Sequence, residues 1–337
     1  MSDNTHFIHL EMYNPPKAIE KSNKEWVAYG EKNDYFDFLI DRLNGSTTNY
    51  AIVNTICKLV YGSGLNTTDS ARNPSGYAQM KMLFNSDFLK KIVYDYYALG
   101  QCAIEVIYSK DKKRIVSVNH LPINLMRSGK CDEEGNVNEW FFAQSWEESK
   151  LRRNQATPIP VFSNGENKNE KEVLIIGNYS IGKKYYCNVS YIGCLPYCKH
   201  EEEIANYLIN EVSNSFTPTT VINFNNGVPE TQTDRDKITN NAEEKLTGSK
   251  GKKVIVAFNN DETKKTTIDS VPLNDAPAHY QYLSLEAQSK IMIGHGVTST
   301  LLFGINTSNG FSSNADELKN AFVLFENMKI KPIQNDI

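Results

Sequence analysis

The chain has 337 residues, 40% of them hydrophobic and 23% charged, with a formal net charge of −4. This is an ordinary globular composition, long enough for one large core or two modest ones. Its slightly acidic balance argues against a protein that wraps nucleic acid by bulk attraction; no apolar run nears the ~20 residues a bilayer span requires, so no membrane partner is expected.

Residues 1–25 read as an N-terminal arm. Met1 to Lys17 is polar, carries Pro15-Pro16 and lacks the apolar region of a signal peptide. Without a secretory signal, the cysteines at 57, 102, 131, 187, 194 and 198 are expected to be reduced thiols. Residues 31–61 read as two helices. Asp34 precedes the stripe Tyr35, Phe38, Leu39 and Leu43, ended by Gly45; Ser46-Thr47 caps a second stripe, Ile52, Ile56, Leu59 and Val60, ended by Gly62-Ser63-Gly64. A helix over 86–99, capped by Ser86 or Asp87 and closed by Gly100, shows a broad apolar face of Phe88, Leu89, Ile92, Val93, Tyr96 and Tyr97.

Strands follow. Cys102–Tyr108 is β-rich and turns through Asp111-Lys112-Lys113 into Arg114–Leu121. A second hairpin runs across Asp132–Asn136 into Trp140–Phe142, and Val173–Ile176 and Lys184–Tyr191 are candidate strands. Cys198–Phe216 has helical spacing in Ile204, Tyr207/Leu208, Val212 and Phe216. An insert at 217–276 alternates a strand (Thr220–Phe224), a polar helix (Thr233–Leu246), a basic turn and strands at Val254–Phe258 and near Thr266–Val271.

The chain closes with two helical patterns around a polar loop. Leu283, Ala287, Ile291 and Gly294 form one stripe, with Pro277 suited to the first turn. Leu318, Ala321/Phe322, Phe325 and Met328 form the other, capped by Ser313 or Asn314, and Pro332 is expected to kink or end it.

Several words in this order are familiar together. The run I-x-x-G-H-G-V-T-S-T-L-L-F-G-I, then N-G-F-S-S-N-A-D-E, then a helix ending F-x-x-x-K-I-K-P-I-Q, resembles the portal proteins of tailed bacteriophages. So do the early helix ending Y-G-S-G-L and the stretch G-Q-C-A-I-E-V-I-Y followed by V-x-x-L-P-I-N. The resemblance implies an α+β subunit with a wing at 26–197, stem helices at 198–216 and 277–297, a clip at 217–276, a tunnel-loop region at 298–314 and a tunnel helix at 315–337. A C-terminal crown would be missing or reduced. It implies a ring of twelve at a capsid vertex, passing double-stranded DNA without sequence readout and docking the major capsid protein, the terminase large subunit and a head–tail adaptor. The location would be the virion, after assembly in the host cytoplasm. Another head–tail connector is the nearest alternative; its members are shorter and lack the helix–clip–helix insert.

In that reading Asn306, Thr307, Ser308, Asn309, Ser312, Ser313 and Asn314 face DNA, offering exchangeable hydrogen bonds to phosphate, while Phe311 braces the loop. Lys250, Lys252 and Lys253 in the clip would touch phosphate or an acidic partner; the plain alternative is a solvated turn. No cofactor, metal or catalytic residue is expected. Gly248–Lys253 fails the phosphate-loop pattern, with Leu246 where a glycine is required and Lys253 in place of Ser/Thr. Cys187, Cys194, Cys198 and His200 lack zinc-knuckle spacing and read as small hydrophobes. His295 sits between two glycines at a helix end, where a cation or a carbonyl cap suits it; a hydrolase would need a partner such as Glu286. Gly294 and Gly296 are expected to permit close packing or a break.

Overall fold

The computed structural model describes residues 16–67, 70–147, 155–164, 169–214, 220–224, 229, 231–238, 254–258, 276–297, 299–303 and 315–337. Helix and strand mix throughout, and the chain divides into two compact units: residues 1–199 with 288–337, and residues 200–287.

The first unit opens with a short hairpin, β1 (Ala18–Glu20) and β2 (Val27–Tyr29), inside and just past the stretch expected to be an arm. Helices α1 (Tyr35–Gly45) and α2 (Thr47–Tyr61) follow as expected. Ser46 caps α2 by accepting from the Asn49 amide at 3.1 Å. A helix not foreseen, α3 (Pro74–Leu83), is capped by Asn73 and buries none of its residues. That missing apolar stripe is why no periodicity announced it.

Helix α4 spans Ser86–Leu99. Its cap is Asn85, whose side chain accepts from the Phe88 amide at 3.0 Å, rather than Ser86 or Asp87. Gly100 stops it in the left-handed region at φ 84, and a Cβ there would lie 2.8 Å from the Asn188 backbone, so this turn requires glycine on two counts.

The chain then enters β3 (Gln101–Tyr108), the centre of an antiparallel sheet with β4 (Ile115–Leu121) and β8 (Lys171–Gly177). A second sheet orders β5 (Met126–Ser128), β6 (Glu139–Phe142) and β7 (Thr157–Pro160). Arg127 at 1% exposure fastens β5 to the start of α1. Its guanidinium donates to the Asn33 side chain at 2.6 Å and to the carbonyls of Asn33, Asn124 and Met126, each at 2.8 Å. Burial lowers its pKa to about 10, so it is charged at neutral pH.

Lys184–Tyr191 is not a strand. Its backbone and hydroxyls are engaged by side chains and single carbonyls instead: Cys187 N donates to the Gln101 amide oxygen at 2.8 Å, Asn188 N to the Ser180 hydroxyl at 2.8 Å, and the Tyr186 hydroxyl to the Val27 carbonyl at 2.5 Å. Tyr185, Tyr186, Val189 and Tyr191 are nevertheless buried, so β-rich composition here reports burial and not ladder pairing.

In the second unit, α5 (Leu195–Asn214), which begins in the first unit, continues from His200, and α6 (Ala276–His295) begins. Tyr207 and Tyr280 stack with centroids 4.4 Å apart. Strands β9 (Thr220–Phe224) and β10 (Val254–Phe258) pair in parallel. A parallel pair demands a crossover of a dozen or more residues, and residues 232–238 within that crossover are helical. The expected strand near Thr266–Val271 lies outside the described residues.

Back in the first unit, α7 (Ala315–Phe325) leads through a π-helical turn at Glu326–Ile330 into α8 (Lys331–Asp336). Pro332 neither ends the helix nor breaks it. The wider turn takes up the missing N–H and the ring's demand for space. The expected stripe divides: Phe325 is buried, whereas Leu318, Phe322 and Met328 are exposed, and the core contacts pass instead to Ile330 and Ile333. The π turn adds one residue to the period, which moves the buried face.

Candidate functional site

Asn306, Thr307, Ser308, Asn309, Phe311, Ser312, Ser313 and Asn314 lie outside the described residues, as do Lys250, Lys252 and Lys253. What the structure describes is the root from which the 298–314 connection departs, and that root is a built polar site.

Helix α6 ends in a Schellman motif. Gly296, at φ 70, donates to the Ile293 carbonyl at 3.0 Å, and Val297 N donates to the Met292 carbonyl at 3.0 Å. Val297 packs against the core, as that motif favours. One turn earlier Gly294 lets α6 approach the start of α5: a Cβ at 294 would stand 2.5 Å from the Cys194 Cβ. The two glycines thus do the two jobs expected of them, close packing and a break.

His295 departs from expectation. The glycine motif satisfies the helix end, so the imidazole turns inward and is fully buried. Its Nδ1 lies 2.8 Å from the Tyr97 hydroxyl and its Nε2 2.8 Å from the Asn49 Oδ1. Asn49 Nδ2 donates to the Arg42 carbonyl at 3.2 Å, which fixes the amide's orientation. Oδ1 therefore accepts from Nε2–H, and Nδ1 accepts from Tyr97. Tyr191 stacks on the ring at 4.4 Å and donates from its own hydroxyl to the Ala98 carbonyl at 2.9 Å.

Burial, with Lys329 adding to it, lowers the His295 pKa to about 3, so the ring is neutral and does not cap this helix as a cation. Burial pushes the Tyr97 hydroxyl well up, partly offset by its bond to the Ser190 side chain. Lys329 donates to the Ser190 hydroxyl at 3.3 Å with its ammonium 5.3 Å from the Tyr97 ring centroid.

Chemically this is a positioning site. Both imidazole nitrogens are committed, and Glu286 lies nine residues earlier on the same helix, roughly 13 Å along its axis. Asn49 could have been noticed: it heads the stripe Ile52, Val53, Ile56 as a polar residue on an apolar face. Tyr97 carried no such signal, since tyrosine on an apolar face usually just packs.

Among the described residues no group of three or more His, Cys, Asp or Glu could hold a metal ion, and no helix is long and apolar enough to cross a membrane. Cys57, Cys102, Cys194 and Cys198 are buried; Cys131 and Cys187 are half-buried, and none of the six forms a disulfide. Each unit also shows large apolar side chains to solvent. In the second these include Leu208 and Ile209 on α5 and Tyr282 and Leu285 on α6; in the first they include Tyr179, Ile181, Ile293, Phe322, Leu324 and Met328.

No protein-family description matches the chain and no curated protein does. Solved structures do. A chain from the neck of an empty gene transfer agent particle, computed with C6 symmetry, shares 9% identity at a TM-score of 0.59, over 89% of this chain and 78% of its own. A chain from the virion of the native particle gives 11% identity and a TM-score of 0.56, over 90% and 78%. A chain from the native particle's neck, computed with C12 symmetry, gives 10% and 0.54, over 89% and 77%. The fold is therefore that of virion and neck chains, at identities where only the fold is shared.

Proposed function

We propose that this chain is a portal-type subunit of a virion's head–tail connector, closing into a homo-oligomeric ring with a channel for double-stranded DNA. The observation that carries the reading is the shared fold with a gene transfer agent neck chain across 89% of the chain, at a TM-score of 0.59. The exposed apolar side chains on α5, α6 and α7 support it, because a heterologous ring interface needs such surfaces on each subunit.

In this reading twelve copies surround the DNA. The wing is residues 26–197, the stem helices 198–216 and 277–297, the clip 217–276 and the tunnel helix 315–337. The connection at 298–314 reaches into the channel, where small polar side chains hold phosphate weakly enough for the duplex to slide. Lys250, Lys252 and Lys253 meet phosphate or an acidic partner at the clip. The subunit performs no chemistry. Terminase large subunit, major capsid protein and an adaptor dock on the ring, and the protein resides at one vertex of the particle.

Electron microscopy of the purified protein, with light scattering for mass, tests this. Rings with a central hole wide enough for a duplex are expected. Absence of rotational symmetry both in the purified protein and in particles assembled with capsid protein overturns it.

A further inference from the structure

The π turn at Glu326–Ile330 is the unusual element of the first unit. Pro332 follows it, and in an unbroken α-helix its ring would crowd the carbonyl four residues back, at Met328. Two discrete registers are open to such a stretch. In one the extra residue is held in the wide turn; in the other it is squeezed out, and one side of the helix rotates by about 100° against the other.

The downstream side is fixed to the wing. Gln334 donates to the Val60 carbonyl at 2.9 Å, the Tyr96 hydroxyl donates to Asp336 at 2.6 Å, and Ile333 is buried. Rotation would therefore fall on the upstream side, which carries Phe325, and on the turn itself, which carries Lys329. Phe325 touches the turn that follows α6, and Lys329 touches the residues that hold the end of α6. Phe325 meets Phe303 edge to face at 5.7 Å. Lys329 reaches Ser190 and the Tyr97 ring, and Tyr97 holds His295 at the end of α6.

We propose that the π turn is a register switch, coupled through Lys329–Ser190–Tyr97–His295 and through Phe325–Phe303, that sets the position of the α6 terminus and of the short helical turn Thr300–Phe303 that follows it. The wide register, seen here, holds both locked. The tight register withdraws Phe325 and Lys329 together and releases them. Bistability comes from the helix being able to hold one residue more or fewer but no fraction of one, and the coupling does not depend on whether the subunit sits in a ring.

Hydrogen exchange on the full chain tests this with two variants. Pro332→Ala restores the N–H and removes the ring, favouring the tight register; Lys329→Met keeps the length of the side chain and removes its donors. Peptides over 288–303 are expected to exchange about tenfold faster in Pro332→Ala and about threefold faster in Lys329→Met, with β3 peptides unchanged. Faster exchange confined to 322–337 in both variants overturns the proposal, and so does an equal rise in β3, which reports general loosening. If Pro332→Ala does not fold, Lys329→Met decides alone. A double-mutant cycle of Lys329→Met with His295→Gln separates coupling from bulk packing: non-additive stabilities are expected, and additive ones count against the switch.

Discussion

His295 joins four segments through one neutral ring, and that has a consequence in acid. Its pKa in the fold is about 3, below the ordinary histidine value of 6.5. As pH falls from 6.5 toward 3 the unfolded chain takes up a proton that the folded chain refuses, so stability drops across that window, by ~5 kcal/mol when complete. Urea titrations at pH 7, 5.5 and 4 should show it, and His295→Gln should flatten the dependence while lowering stability at pH 7. At the neighbouring position two effects oppose each other. Gly294→Ala gains about 1 kcal/mol in helix propensity, but the new methyl would sit 2.5 Å from the Cys194 Cβ, which is not the tip of a flexible chain. Overpacking of that kind costs about 1–3 kcal/mol, so a net loss of stability is expected in thermal or chemical melts.

Among elements, caps and turns decided more than propensity did. Asn85→Ala removes the α4 cap and should cost about 1 kcal/mol, whereas Ser86→Ala should cost less, since the exposed Ser86 hydroxyl bonds only Tyr61 at 2.8 Å; chemical denaturation separates the two. Periodicity made α1, α2, α4, the β3–β4 hairpin and β6 legible, because each buries one face and its apolar residues recur at the period of its backbone. It was silent on α3, which buries nothing. It misread 184–191, where the apolar residues are buried but the backbone bonds go to side chains, that of Ser180 just upstream and that of Gln101 in β3. It also misjudged the last helix: Pro332 was visible as a disturbance, but its resolution by a π turn depends on Ile333 being buried in the core and Gln334 being bonded to Val60 of α2.

For the whole molecule, the exposed apolar residues are where the proposed ring can be tested without disturbing the fold. Leu285→Glu and Ile293→Glu each replace an exposed side chain, 57% and 66% accessible. Each is expected to reduce ring assembly by light scattering while leaving the melting temperature close to that of the parent protein; retained assembly in both would remove these faces from the interface. If the proposed ring and its DNA channel form, Phe311→Ala should leave rings intact and impair DNA packaging, and normal packaging would count against a bracing role. The sequence by itself determined α1, α2, α4, the β3–β4 hairpin, the helix–insert–helix order around β9 and β10, and the two glycines at the end of α6. Those are local properties: periodicity, turn chemistry and the tolerance of glycine for positive φ act within a few residues. The tertiary structure alone decided that His295 is a neutral buried hub and that Lys329 lies against Tyr97. It also decided that the final helix buries Phe325 and Ile330 rather than its whole predicted stripe. Each of those depends on groups tens to hundreds of residues apart, and a histidine's charge, like a helix's buried face, is set by whatever packs against it.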